Sequence, residues 1–137
     1  MPLARQAMHD KRELLHAAVW PAVRETHLLA SRAYAFEGRC FVIAAGSILH
    51  REDLPQGFAL LDEMPGDGPF QSGGSAIIAP NAEIIAGPIE NEEKLLIAEI
   101  DPGLATQEQM TLDVSGHYSR PDVFTFRVNQ SPDEDPL

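Results

Sequence analysis

An α/β fold is what this sequence predicts, and three observations carry the prediction. The apolar run His16-Ala-Ala-Val-Trp20 suits a strand, residues 22–37 have helical periodicity, and Cys40-Phe-Val-Ile-Ala-Ala45 is a continuous hydrophobic run of the kind found in strands buried on both faces. Short connections join the three, which is the signature of a strand-helix-strand unit with parallel neighbours.

The elements follow in chain order. Pro2 to Met8 holds the helix formers Leu3, Ala4, Gln6 and Ala7 and reads as a short opening helix. Pro21 stops the first strand and suits the first turn of the next helix. Within that helix Leu29, Ala30, Ala33, Tyr34 and Phe36 fall on one stripe at 100° per residue, with Arg24, Ser31 and Arg32 turned away, so the stripe is expected to face the core. Glu37 lands near its middle, and Gly38 supplies the stop. Residues 46–74 carry nine Gly and Pro residues and read as a long loop. Ser75-Ala-Ile-Ile-Ala79 and Glu83-Ile-Ile-Ala86 predict a hairpin around Pro80-Asn81, although Ala82 stands where a turn glycine is easier. Lys94 to Asp101 reads as one more strand and Ala105 to Leu112 as a short closing helix ended by Gly116. The residues divide into one structural unit, 1–129, and an acidic, proline-bearing tail, 130–137, expected to be disordered.

Composition narrows the function. The formal charge is −11, and it is uneven: residues 1–51 hold seven Lys/Arg against four Asp/Glu, and residues 52–137 three against seventeen, about +3 and −14. That balance argues against a nucleic-acid partner, which needs a concentrated cationic face. One cysteine, Cys40, excludes an internal disulfide and fits a reducing compartment. Nothing at the start reads as a signal peptide, and no apolar stretch approaches the roughly 20 residues of a membrane span. A cytoplasmic protein with no membrane partner is expected.

Three blocks carry a resemblance: Met1-Pro-Leu-Ala-Arg5, Arg32-Ala-Tyr-Ala-Phe-Glu-Gly-Arg-Cys-Phe-Val42 and Gly116-His-Tyr-Ser-Arg-Pro-Asp-Val-Phe124. Together with Gly73-Gly-Ser-Ala-Ile-Ile-Ala-Pro80 and Ala98-Glu-Ile-Asp101, in this order, the chain resembles the nitrilase branch of the carbon–nitrogen hydrolase superfamily, and specifically its C-terminal half. The resemblance implies part of an α-β-β-α sandwich. It also implies a Glu-Lys-Cys triad whose cysteine lies in a Cys-Trp-Glu-Asn phrase just before the block that Met1 to Arg5 resembles, so that no catalytic residue falls within 1–137. The complete enzyme so implied hydrolyses a nitrile to a carboxylic acid and ammonia through a cysteine thioimidate and thioester, without cofactor or metal. A homo-oligomer, or the missing N-terminal half, is the implied protein partner. The alternative is a non-catalytic assembly or binding module derived from such an enzyme.

Each candidate residue has a functional and a plain reading. Cys40, the only thiol, opens a hydrophobic strand where a thiol is ordinarily buried and inert, and the family block has a cysteine here that is separate from the nucleophile. Glu37, a carboxylate on an apolar stripe, must be paired or neutral, and a buried supporting carboxylate held by a partner such as an arginine is the preferred reading. Trp20 and Pro21 end the first strand, where ligand sites gather in α/β sheets, and the indole is a candidate pocket wall or simply a core residue. His9, His16, His27, His50 and His117 show no metal-ligand spacing. His117 and Arg120 are candidates for polar contacts that hold the closing segment to the rest of the fold.

Overall fold

The computed structural model describes residues 1–59, 61–63 and 67–129, so the tail expected at 130–137 lies outside the described residues, as do four residues of the long loop. Helix α1 spans Pro2–His9, with proline in its first turn, where the missing N–H costs nothing. Strand β1 (Leu15–Trp20) runs into helix α2 (Glu25–Gly38), which returns to strand β2 (Phe41–Gly46). The two strands pair in parallel, from Leu15 opposite Phe41 to Trp20 opposite Gly46. The expected strand-helix-strand unit is therefore present, and the α/β class with it.

The predicted loop is less empty than its glycines and prolines suggested. It contains strand β3 (Ile48–Leu49), and strand β4 starts within it, at Gln71, and runs to Ile78. Strand β5 (Ile84–Glu90) completes the hairpin, antiparallel to β4. Ala82 does adopt the left-handed conformation, at φ 67°, that a glycine accepts more easily. One edge of β4 carries β2 and then β3, both antiparallel, and β5 lies along the other. Helix α3 (Pro102–Gln109) begins three residues before the expected start because Asp101 caps it, accepting a hydrogen bond from the Gly103 N–H at 2.8 Å.

The core lies between α2 and one face of the sheet. Val23, Ala35, Cys40, Val42, Ala44 and Ile78 form it, with Trp20, Leu28 and Tyr34 packed around them. Burying Val42 and Ile78 completely contributes roughly 1.5–3 kcal/mol each. At the strand ends, Gly74 sits at φ 82° with the Val23 carbonyl so close that a Cβ would come within 2.1 Å of its oxygen, so only glycine fits there.

Three expectations are corrected. The buried face of α2 is Ser31 and Ala35, whereas Leu29 is 66% exposed and Phe36 47%. Small residues let the helix approach the sheet closely, and Ser31 enters because its hydroxyl accepts a hydrogen bond from Trp20 Nε1 at 3.2 Å. Residues 94–101 form no ladder among the described residues, and Leu95 and Ile97 stand 80% and 76% exposed. The left-handed residue that ends α2 is Arg39, at φ 51°, and Gly38 is the last helical residue.

The second face of the sheet is incompletely covered. Leu15, Ala17 and Val19 of β1 alternate outward, and Ile43 of β2 lies beside Ala17 in register, 37% exposed. The sequence reading of β2 as buried on both faces holds for Phe41 and Val42 but not for Ile43. No described helix is long and apolar enough to cross a membrane.

Candidate functional site

The titratable side chains gather where α1 meets the C-terminal turn of α2. Arg5 and His9 lie four residues apart and so share a face of α1. Arg5 Nε reaches Glu37 Oε2 at 2.7 Å, and His9 Nε2 lies 3.7 Å from the same oxygen. The His9 ring is 4% exposed, and neither ring nitrogen has a hydrogen-bond partner among the described residues. Gly38 explains how the ring fits, since a Cβ at that position would stand 2.5 Å from His9 ring atoms. Burial pushes the His9 pKa below its ordinary value, against the opposing pull of Glu37 and Glu13.

Tyr34 extends this cluster. Its ring lies 4.6 Å from that of His9 and stacks on His16 at 4.0 Å. Its hydroxyl donates to Glu13, whose other carboxylate oxygen lies 3.1 Å from His16 Nδ1. Burial and the Glu13 carboxylate hold the Tyr34 phenol protonated well beyond its ordinary range.

Glu37 has the arginine partner that its position called for, but its side chain is 37% exposed, not buried. The cause is the rotated face of α2: the carboxylate sits at the helix margin instead of under it. Cys40 is fully buried, and its thiol is pushed up to about 12, first by burial and then by the nearby Glu13 charge. A thiol in that environment is neither deprotonated nor accessible at neutral pH.

Trp20 packs on the core side of the sheet against Ser31 and His27, with the indole and imidazole rings 4.8 Å apart, while Pro21 is exposed. The neighbouring strand ends do frame a cleft of about 270 Å³, lined by Gly46, Ile48, Gly73, Ser75, Glu92 and Lys94. Neither Trp20 nor Pro21 lines it, and the indole packs against the core cluster. A larger groove of about 690 Å³ runs between α1 and residues 114–126, with Leu3, Arg5, Glu37, Tyr118 and Phe124 along it.

The closing segment is tied down by residues other than those expected. Arg120 makes a bidentate pair with Asp122, two residues away, and the His117 ring packs on Tyr118. Ser115 Oγ instead donates to Asp10 Oδ1 at 2.9 Å, joining the segment to α1. Arg39, missed in the sequence, is a stronger tie. Buried at 3% exposure, it donates to the Pro80 and Leu112 carbonyls and to Thr111 Oγ1, pairs with Glu108 at 3.3 Å and lies over the Phe36 ring at 4.1 Å. Among the described residues no cluster of His, Cys, Asp and Glu is arranged to hold a metal ion.

The family profile for carbon–nitrogen hydrolases matches residues 3–109, more than half of the chain and nearly every element described above. The chain belongs to the carbon–nitrogen hydrolase family. Among curated proteins this family member is 38% identical over 134 residues to an aliphatic nitrilase of Sinorhizobium fredii (strain HH103), a match covering 96% of this chain and 43% of that protein. It is 36% identical over 145 residues to a nitrilase of Pseudomonas syringae pv. syringae (strain B728a), covering 96% and 42%. An arylacetonitrilase of Trametes versicolor (strain FP-101664) is 32% identical over 134 residues, covering 96% and 42%. The chain thus spans about two-fifths of the length of these relatives, less than the half that its sequence blocks suggested.

Proposed function

We propose that the chain is the portion of a nitrilase that follows the nucleophilic cysteine, and that the complete protein hydrolyses a nitrile to a carboxylic acid and ammonia through a cysteine-bound thioimidate and thioester. The shares of length fix how much of a relative is matched. The ordered blocks, from Met1-Pro-Leu-Ala-Arg5 to Gly116-His-Tyr-Ser-Arg-Pro-Asp, support the assignment of which portion it is. One structural observation carries the reading: the chain's single thiol, Cys40, is sealed in the core and held protonated. Covalent attack on a nitrile carbon requires a thiolate with a base in hydrogen-bond reach, and no described residue provides that pair.

In this reading the chain contributes scaffold. The α1–α2 junction, through Arg5 and Glu37, and the strand-end cleft then belong to one wall of a site whose nucleophile, base and lysine come from elsewhere. The test is ammonia release from aliphatic and aromatic nitriles by the 137-residue chain. No turnover is expected, and turnover abolished by Cys40→Ser overturns the reading.

A second reading, a non-catalytic assembly module, is favoured by the open sheet face at Leu15, Val19 and Ile43. A defined oligomer that folds cooperatively, with no hydrolysis of any nitrile, distinguishes it. Under either reading a homo-oligomer, or the rest of a nitrilase chain, is the protein partner that the open face suits.

A further inference from the structure

We propose that His9 is an acid-released pin that holds α1 against the C-terminal turn of α2 only while its ring is neutral. The proposal stands on the geometry of the α1–α2 junction and does not depend on the nitrile chemistry proposed above.

The slot fits an uncharged ring. His9's side chain is 2% exposed, with Gly38 beneath it and the Tyr34 ring 4.6 Å away. The one carboxylate near its Nε2, Glu37, is already engaged: Arg5 holds the same oxygen, Oε2, at 2.7 Å, while His9 stands off at 3.7 Å, beyond hydrogen-bond length. An imidazolium would therefore share the Glu37 carboxylate with an arginine and lie beside a like charge.

The other groups around the ring do not compensate. The small cavity at its edge is bordered by Arg12 and Arg39 as well as by Asp113, and Glu13 contributes a weaker attraction than Glu37. Arg39 is itself committed to Glu108 and three further acceptors. Asp10, next in sequence, is bonded to Gln6 and Ser115, and Cys40 is a protonated thiol. Three arginines thus stand near the slot among four carboxylates, and the nearest carboxylate is already shared.

The sign follows from the direction of the shift. Burial lowers the folded-state pKa below 6.5, so the neutral ring contributes its full stabilisation above that value. As pH falls below 6.5 the released state takes up a proton that the docked state refuses, and the stabilisation is lost progressively until the lowered folded value is reached. Among the described residues the other ties of helix α1 are chiefly the Arg5–Glu37 pair and the Asp10–Ser115 hydrogen bond, so it opens before the sheet does.

Two measurements on the 137-residue chain test this. Ring nitrogen NMR of labelled histidine should show His9 neutral at pH 6.5 with a midpoint below it. Amide exchange, corrected for its intrinsic pH dependence, should show protection of residues 5–9 falling by about tenfold per pH unit between 6.5 and that midpoint, while Ile77 and Ile78 keep theirs. His9→Phe, which fills the slot without titrating, should make α1 protection independent of pH over this range. A His9 midpoint at or above 6.5, α1 protection unchanged on acidification, or the same acid loss in His9→Phe each overturns the proposal. Should that variant not fold, the ring titration of the unaltered chain decides alone.

Discussion

Arg5 and Glu37 are joined by a 2.7 Å ion pair that fastens the first helix of the chain to the last turn of the second, 32 positions further along. Both side chains remain more than a third exposed, so solvent screens the pair and its contribution is modest, about 0.2–1 kcal/mol. Arg5→Ala and Glu37→Gln should each lower urea stability by no more than about 1 kcal/mol. A double-mutant cycle should return a coupling of the same size, smaller in high salt. A coupling of several kcal/mol would mean that the pair is desolvated in solution.

Gly38 should respond in the opposite sense to an ordinary helical glycine. Replacing glycine by alanine inside a helix usually stabilises by roughly 0.5–1 kcal/mol. Here the new methyl meets His9 ring atoms at 2.5 Å, so Gly38→Ala should destabilise by about 1–3 kcal/mol. Because the obstruction is a side chain, His9→Ala in the same chain should recover much of that loss. Thermal unfolding of the single and double variants is the measurement, and a stabilised Gly38→Ala would show that His9 does not occupy this slot.

Arg39 should be far less replaceable than Glu37. Its guanidinium serves Pro80, Thr111, Leu112 and Glu108 from a buried position, and removing one member of a buried pair costs on the order of 3–5 kcal/mol. Arg39→Met should lose about that much, and Arg39→Lys most of it, because an ammonium cannot reproduce the planar fork. Amide protection in α3 should fall in both variants before that of β4. A mild effect confined to the charge would contradict the clasp.

These residues show what the sequence made legible. β1, α2 and β2 were readable because apolar periodicity and short connections are local signals, and the hairpin was readable from its turn. The face of α2 was not, since counting large apolar residues favours Leu29 and Phe36, whereas the sheet accepts the small Ser31 and Ala35 and satisfies the serine through Trp20. Residues 94–101 have a strand's composition, but a strand also needs a neighbour, and the described chain supplies none. The Arg5–His9–Glu37 junction left two usable traces, the place of Glu37 on an apolar stripe and the four-residue spacing of Arg5 and His9. Arg39 left none, because its partners lie 41 to 73 positions away.

Cys40 should resist thiol reagents in the folded chain. With the thiol pushed up to about 12 and no accessible surface, the thiolate fraction at pH 8 is negligible. Reaction with an aromatic disulfide should be slow in buffer and complete within minutes in concentrated urea. Rapid reaction under native conditions would return Cys40 to candidacy as a nucleophile and would count against the proposed function.

The open sheet face should make the isolated chain self-associate. β1 pairs with β2 on one side only among the described residues, and it turns Leu15 and Val19 outward at 48% and 79% exposure, beside Ile43 at 37%. A strand edge without a partner, next to an apolar face, is a template for pairing with another chain. Covering apolar surface contributes about 25 cal/mol per Å², and a domain is stable by only about 5–15 kcal/mol, so several hundred Å² of uncovered face is comparable with the whole margin. Sedimentation of the unaltered chain should therefore depend on concentration. Val19→Lys and Ile43→Asp, placed on that face, should shift it toward monomer without changing the far-ultraviolet circular dichroism of α2. A monomer at every concentration, with a cooperative transition at high temperature, would show that the face is covered in solution and that these 137 residues form a self-sufficient unit.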